Sequence, residues 1–442
     1  MSPRNSSQSS RGARTRSTRY PSLKPGPGLS AKEVAAHQRR RLHEATIELV
    51  AEHGYDAVTV AKLTNRARVS KRDFYKLFAG KEECFLAAYD VVVSRSVHGV
   101  IAAAAGEEDW RKRLRLGFLA LADQVTGNPA TARLALVETF NAGTVAVERM
   151  QRTNLLYEAL MMKNLVRAAD APRLPQLVVK GIVAGGGRLV QARLLSGDPR
   201  QPVLDGDELL EWALSFCHDD VARLCDLGFD GAPPLSEVAP VIPSGDERAL
   251  ILAATAKLAS KEGYATLTVP RVRAAAGVSR RSFDTHFEDV TDCFLAMLET
   301  LSDRTLAAAA PVYLSAGDWA SGVHRMIAGL SWRLARDPTF ADLAFLEVFA
   351  SCPEALQWRS QMIAKLAARL RRKAPAAQRP SELSAEASVG ALWGVVHHFV
   401  ASGRGAQLPK AVPALSYLAL APALGAEAAV DLILAEGPGA RR

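Results

Sequence analysis

Apolar residues recur at helical spacing in short, punctuated runs. Leu42, Ala45, Leu49 and Val50 fall at i, i+3, i+7 and i+8, one face of a helix that we place at about residues 35–53. Gly54 ends it, because glycine adopts the left-handed closing conformation cheaply. Thr59 stands where a hydroxyl would accept from a free amide of the next helix. That helix turns Val60 and Leu63 inward and stops near Ala67. Ser70 caps a third helix with Phe74 and Phe78 on its buried face, and Ala79-Gly80 separates it from a long fourth opened by Lys81-Glu82-Glu83. Two short helices on a tight turn, the second flanked by Lys71, Arg72 and Lys76, make a helix-turn-helix.

The pattern of residues 42–90 returns at 251–299. Gly54 and Gly263, Tyr55 and Tyr264, Ser70 and Ser279, Phe78 and Phe287, and Cys84 and Cys293 each differ by 209. A repeat of this length decides the architecture before any other reading. The offset persists in Trp110 and Trp319, Pro129 and Pro338, Glu138 and Glu347, and Phe140 and Phe349. Beyond these, the glycines at 185–187 and 390–394 match loosely. We therefore expect an all-α chain of two tandem units, each an N-terminal three-helix helix-turn-helix domain followed by a helical-bundle regulatory domain. The expected divisions are a disordered basic tail at 1–32, a helix-turn-helix domain at 33–90 and a helical domain at 91–228. A proline-rich linker at 229–245 leads to a degenerate helix-turn-helix domain at 246–299, a second helical domain at 300–436 and a tail at 437–442. The first helical domain should close with helices at about 174–195 and 204–227.

The ordered positions Gly54-Tyr55, Thr59-Val60, Val69-Ser70, Phe74-Tyr75, Phe78 and Lys81-Glu82 resemble the DNA-binding domain of the tetracycline-repressor (TetR) family of bacterial regulators. The resemblance covers about fifty residues in each repeat. It implies a helical ligand-binding and dimerisation domain after each helix-turn-helix. It also implies repression by occupancy, relieved by a small hydrophobic effector. Family members work as homodimers; here both halves share one chain. The expected assembly is an intrachain pseudodimer joined through a four-helix bundle from 174–227 and 381–434, with further oligomerisation left open. It would read an imperfect palindrome.

Composition narrows the classes. At 442 residues the chain is long enough for two to four domains, and 6% aromatic residues fit helices better than sheets. A net charge of +9 and a pI near 9.4 suit an anionic partner, double-stranded DNA. Arg4, Arg11, Arg14, Arg16, Arg19 and Lys24 precede the first acid, Glu33, so the tail is either solvated or a cationic arm that tracks phosphates. The five cysteines form no CxxC pair, as expected of reduced thiols in a bacterial cytoplasm. The apolar stretch at 411–434 is interrupted by Pro413, Pro422, Glu427 and Asp431, which argues against a membrane span.

The outward face of the third helix offers Ser70, Lys71, Arg72, Asp73, Tyr75 and Lys76 to DNA, with Thr59 and Lys62 at the start of the second. Arg72 and Lys71 suit guanine O6 and N7. The resemblance assigns Tyr75 and Lys81 to phosphates. In the second copy the candidates are Thr268, Arg271, Ser279, Arg280, Arg281, Ser282 and His286, but Asp284 replaces Tyr75 and Val290 replaces Lys81. An aspartate at an expected phosphate contact predicts a weaker grip. Glu138 and Glu347 are either polar anchors in a ligand pocket or partners for a nearby Arg or helix end. His397-His398 reads as a core-and-surface pair, and Gly185-Gly186-Gly187 as small residues for close helix packing. We expect no metal, cofactor or catalytic group. The alternatives are an interaction scaffold in which only the first helix-turn-helix is active, and a non-specific DNA binder.

Overall fold

The computed structural model describes residues 30–166, 170–196, 204–224, 245–350 and 352–437. The basic tail through residue 29, the linker from 229 to 244, the tail from 438 and Cys225 lie outside them. Among the described residues no strand occurs. The chain divides into two compact units, Met1–Val91 and Val92–Arg442.

In the first unit, α1 (Ala31–His53) begins earlier than apolar periodicity indicates, because Ser30 and Glu33 close a capping box. Glu33 Oε2 accepts from the Ser30 amide at 2.7 Å while Ser30 Oγ accepts from the Glu33 amide at 3.2 Å. Gly54 ends the helix at φ 77°. Helices α2 (Val60–Ala67) and α3 (Lys71–Leu77) follow, and α4 (Lys81–Ala103) opens at the unit's end. Leu42, Leu63 and Phe74 are fully buried where α1, α2 and α3 meet. Among the described helices α4 alone is long and apolar enough to cross a bilayer, yet Cys84, Phe85, Leu86, Ala88 and Tyr89 are buried in the first unit's core.

The second unit continues through α5 (Trp110–Gly127), α6 (Pro129–Arg133), a π turn at Leu134–Glu138, α7 (Thr144–Val166), α8 (Gln176–Ser196) and α9 (Gly206–Leu214). The repeat then begins with α10 (Glu247–Glu262), α11 (Val269–Ala276), α12 (Arg280–His286) and α13 (Val290–Leu314). Next come α14 (Trp319–Arg336), α15 (Pro338–Asp342), a π turn at Leu343–Glu347 and the one-turn α16 (Val348–Ala350). The chain closes with α17 (Pro353–Lys373), α18 (Glu382–Ala401), α19 (Val412–Leu424) and α20 (Ala426–Glu436). Helices α5, α6 and the first π turn return as α14, α15 and the second π turn at the same 209-residue offset. Cys84 and Cys293 occupy matching core sites against Thr46 and Thr255, and burial pushes both thiols up to about 11.

Two boundaries differ from expectation. The helix foreseen at 204–227 ends at Leu214 and gives way to a 3-10 turn at Asp219–Leu224. The carbonyl of Phe216 is taken instead by the Tyr417 hydroxyl at 3.0 Å, so the backbone there is bonded outside any helical ladder. The final segment of the second half is two helices, broken at Gly425 with φ 85°.

The halves meet where α8 crosses α18. A Cβ on Gly185 would collide with the Ala387 carbonyl and the Trp212 ring, and one on Gly394 would collide with the Ala184 side chain. Gly187 meets nothing within 4 Å, so of the glycine run only Gly185 serves close packing. Around the crossing, Trp212 Nε1 donates to Ser388 Oγ at 2.9 Å and Arg193 pairs with Glu386 at 2.9 Å. The rings of Phe140 and Phe349, equivalent positions in the two halves, stack with centroids 5.0 Å apart.

His324, 2% exposed on α14, lies 2.8 Å from Ser416 Oγ on α19. Burial lowers its pKa to about 4 from the ordinary 6.5, although the neighbouring Glu436 pulls the other way. The unfolded chain takes up this proton below about pH 6.5 and the folded chain only near pH 4, so the folded state loses stability as pH falls through that window. The full difference is on the order of 3 kcal/mol. His324→Gln should therefore show a smaller drop in urea midpoint between pH 7 and pH 4.5 than the unaltered chain.

Candidate nucleic-acid interface

The first helix-turn-helix is set by its caps. Thr59 Oγ1 accepts from the Lys62 amide at 3.3 Å and Ser70 Oγ from the Asp73 amide at 3.0 Å, which fixes the first turns of α2 and α3. The turn between them places Arg68 in the left-handed region at φ 51°, and the buried Arg41 donates to its carbonyl at 3.1 Å. The second copy has Gly277 at the matching position, at φ 70°. Phe74 is wholly buried and Phe78 nearly so, with Arg39 over the Phe78 ring as Arg248 lies over Phe287.

Lys71, Arg72 and Tyr75 stand exposed on α3, with Tyr75 at 58%. Lys71 and Arg72 have no ion-pair partner among the described residues. Asp73 and Lys76 are mutually satisfied: Lys76 Nζ lies 3.0 Å from Asp73 Oδ1, and Ser70 Oγ donates to Asp73 Oδ2 at 2.8 Å. The Ser70 hydroxyl and then Lys76 hold the Asp73 carboxyl below its usual range. Lys62 Nζ donates to the Ala57 carbonyl at 2.7 Å. Lys81, half-buried, donates to the Tyr55 carbonyl at 3.1 Å and sits 3.9 Å from the centre of its ring. Its charge therefore braces the start of α4 against the turn after α1.

The second copy keeps this scaffold and changes its surface. Thr268 and Ser279 cap α11 and α12. Arg280 Nε donates to Asp284 Oδ2 at 3.1 Å, so the aspartate that replaces Tyr75 also occupies the arginine that replaces Lys71. Arg271 is held by Glu262 at 2.6 Å and by the Thr266 carbonyl. Ser282 corrects the expectation placed on it. It is buried, and its hydroxyl donates inward to Glu247 at 2.6 Å, so it cannot meet DNA. Arg281 and His286 remain exposed.

Of the two readings given for the regulatory glutamates, their contacts favour partners within the protein over pocket anchors. Glu138 pairs with Arg133 at 3.2 Å and accepts from Asn141 at 3.1 Å. Glu347 accepts from the Tyr264 amide at 2.8 Å, joining the second π turn to the loop after α10. Burial raises the Glu347 pKa. No group of three or more His, Cys, Asp or Glu that would hold a metal occurs among the described residues. His397 is half-buried, its Nδ1 2.6 Å from the Phe345 carbonyl.

The family model for bacterial regulatory proteins of the tetR family matches residues 42–88 and again 251–297, the two helix-turn-helix segments just described. These two segments are helix-turn-helix domains of the tetR type, present twice in tandem. Solved structures of such regulators align with it at low identity. The fatty acid degradation regulator FadR from Bacillus halodurans aligns at 16% identity and a TM-score of 0.36, over 43% of this chain and 97% of its own. A TetR family transcription regulator from Marinobacter aquaeolei VT8 aligns at 21% and 0.33, over 41% and 94%. A bacterial regulatory protein in the tetR family from Rhodococcus RHA1 aligns at 19% and 0.34, over 41% and 98%. No curated protein matches the chain. Sequence reasoning missed Arg41, the last of the arginine run 39–41, and Arg188 and Arg359, each the one cation of its own helical turn. For the latter two that setting was the available signal.

Proposed function

We propose that the chain regulates transcription as a single-chain pseudodimer, repressing by occupancy of an imperfect palindrome until a small effector binds. The observation that carries this reading is the close crossing of α8 with α18, where glycines from both halves admit the opposite helix and Phe140 stacks on its own counterpart Phe349. A symmetric homodimer would use such a surface between two molecules; here it lies inside one. In the first domain Lys71 and Arg72 read bases, and Tyr75 and the helix N-termini meet phosphates, which position the protein but carry little sequence information. Ser70, Asp73, Lys76, Thr59 and Lys62 shape that face, and Lys81 adds its charge near the backbone. Arg281, with Ser279, His286, Thr268 and Arg271 around it, gives the second domain a weaker grip. No catalytic role is proposed.

Selection of bound DNA from random sequence tests the reading. The expected result is two unequal half-sites about 34–36 Å apart, centre to centre. A perfect palindrome, bound by a stable dimer of the full chain in solution, would overturn the single-chain assembly. The pairing of Arg280 with Asp284 favours a second reading, in which only the first helix-turn-helix contacts DNA and a single half-site is enriched.

A further inference from the structure

Two arginines approach each other beside the Phe140–Phe349 stack, one from each half. Arg359, on α17, is wholly buried; Arg188, on α8, is partly so. Their guanidinium carbons lie 4.4 and 4.7 Å from the centre of the Phe349 ring. Both donate to one acceptor, Gln191 Oε1, Arg188 Nη1 at 3.1 Å and Arg359 Nη2 more closely. Gln191 is itself anchored, because its Nε2 donates to the Leu136 carbonyl in the first π turn at 2.6 Å. Among the described residues, Arg359 Nε and Nη1 have no hydrogen-bond partner. Among the described residues no carboxylate forms an ion pair with either arginine. The nearest acid lining the same cavity, Glu386, is engaged with Arg193 at 2.9 Å.

A buried guanidinium without a counter-charge is costly, and two sharing one neighbourhood also repel. Aromatic faces offset part of that cost. Burial, joined for Arg359 by the Arg188 charge, lowers both pKa values, that of Arg188 to about 10. Arg188 therefore remains cationic at neutral pH. They line a cavity in which the centre of a water molecule has about 20 Å³ of free space. That is room for one or two waters, or for the oxygens of one small anionic group. The matching position of α7 holds Met150, buried in the same register of the first half, so the fold accommodates an apolar side chain there. The second half serves its own π turn through His397, which carries no second acceptor like Gln191 Oε1.

We propose that Arg188 and Arg359 form a binding site for the carboxylate of a small organic acid, placed where the two halves of the chain meet. A planar guanidinium suits a carboxylate, and the unpartnered Nε and Nη1 of Arg359, on opposite edges of that group, are each a single donor for such an oxygen. Calling this anion the effector rests on the regulator reading. The binding itself does not, and is measured without DNA. A failure of DNA selection therefore leaves this result untouched.

Calorimetric titration of the full chain with acetate and with butyrate, at constant ionic strength set by chloride, is the test, with inorganic phosphate as comparator. Saturable heat with the carboxylates is expected, weakened roughly 10- to 100-fold by Arg359→Met. The same variant, measured without anion, should unfold at an equal or higher temperature than the unaltered chain, because it removes an uncompensated buried charge. Carboxylate heats no different from chloride dilution, preference for phosphate, or undiminished binding in Arg359→Met would each overturn the proposal. So would a lower unfolding temperature of Arg359→Met, the sign of a purely structural role. Should that variant not fold, Arg188→Gln carries the test: the same loss of carboxylate binding is expected, and undiminished binding would overturn the proposal.

Discussion

Alanine at both Lys71 and Arg72 should weaken binding to the selected DNA site by about 2–5 kcal/mol, given roughly 1–3 kcal/mol for each base-reading contact. Both side chains are exposed and neither has an ion-pair partner among the described residues, so no ion pair described there competes for them. The loss should be uneven, greatest for sites with guanine beneath α3 and small for sites already mismatched there. Arg281→Ala should cost only about 1 kcal/mol, because its neighbour Arg280 is already drawn to Asp284. Gel shifts on one operator compare the variants directly. Equal losses in the two domains would mean that Asp284 does not weaken the second, and the proposed ranking of the copies would fall.

Valine at Gly394 should destabilise the second unit by about 3 kcal/mol, the upper part of the range for overpacked cores. An added Cβ there runs into Ala184 on α8, and both helices are held by further contacts on each side of the crossing. Urea unfolding of the full chain gives the magnitude. A second readout is particle mass: α8 and α18 that no longer fit within one chain are free to seek partners in another. Gly187→Ala is the matched control. Its added methyl meets nothing within 4 Å, and replacing a mid-helix glycine should stabilise the chain by about 0.5–1 kcal/mol. If both changes cost alike, the crossing does not hold the halves together.

What could be read from the chain alone was what local chemistry determines. Ser70, Thr59 and Gly54 mark helix ends because the hydrogen bonds they make lie within three or four residues of themselves. The 209-residue offset reported the duplication without any structure. Ser282 was misread for the opposite reason. Its counterpart Asp73 turns outward to Lys76, whereas Ser282 turns inward to Glu247 on α10, 35 residues away, and helical spacing does not register that difference. The Arg188, Gln191 and Arg359 group joins residues up to 171 positions apart, across two halves whose register has slipped: α7 and α17 start 209 residues apart, α8 and α18 only 206. Gly186 and Gly187 looked like packing residues beside Gly185. Which of them meets the opposite helix depends on the crossing angle, a property of the pair and not of either sequence.

Because α8 and α18 belong to one molecule, dilution does not separate them. A regulator assembled from two chains loses its DNA-binding form as its concentration falls below its own dimerisation constant, so occupancy drops with roughly the square of the protein present. Tethering replaces that encounter with an effective local concentration that does not change with expression level, on the order of millimolar for short flexible linkers. On the proposed reading, occupancy then follows copy number to the first power. A cell that makes only a few copies of this chain keeps every one of them competent to bind.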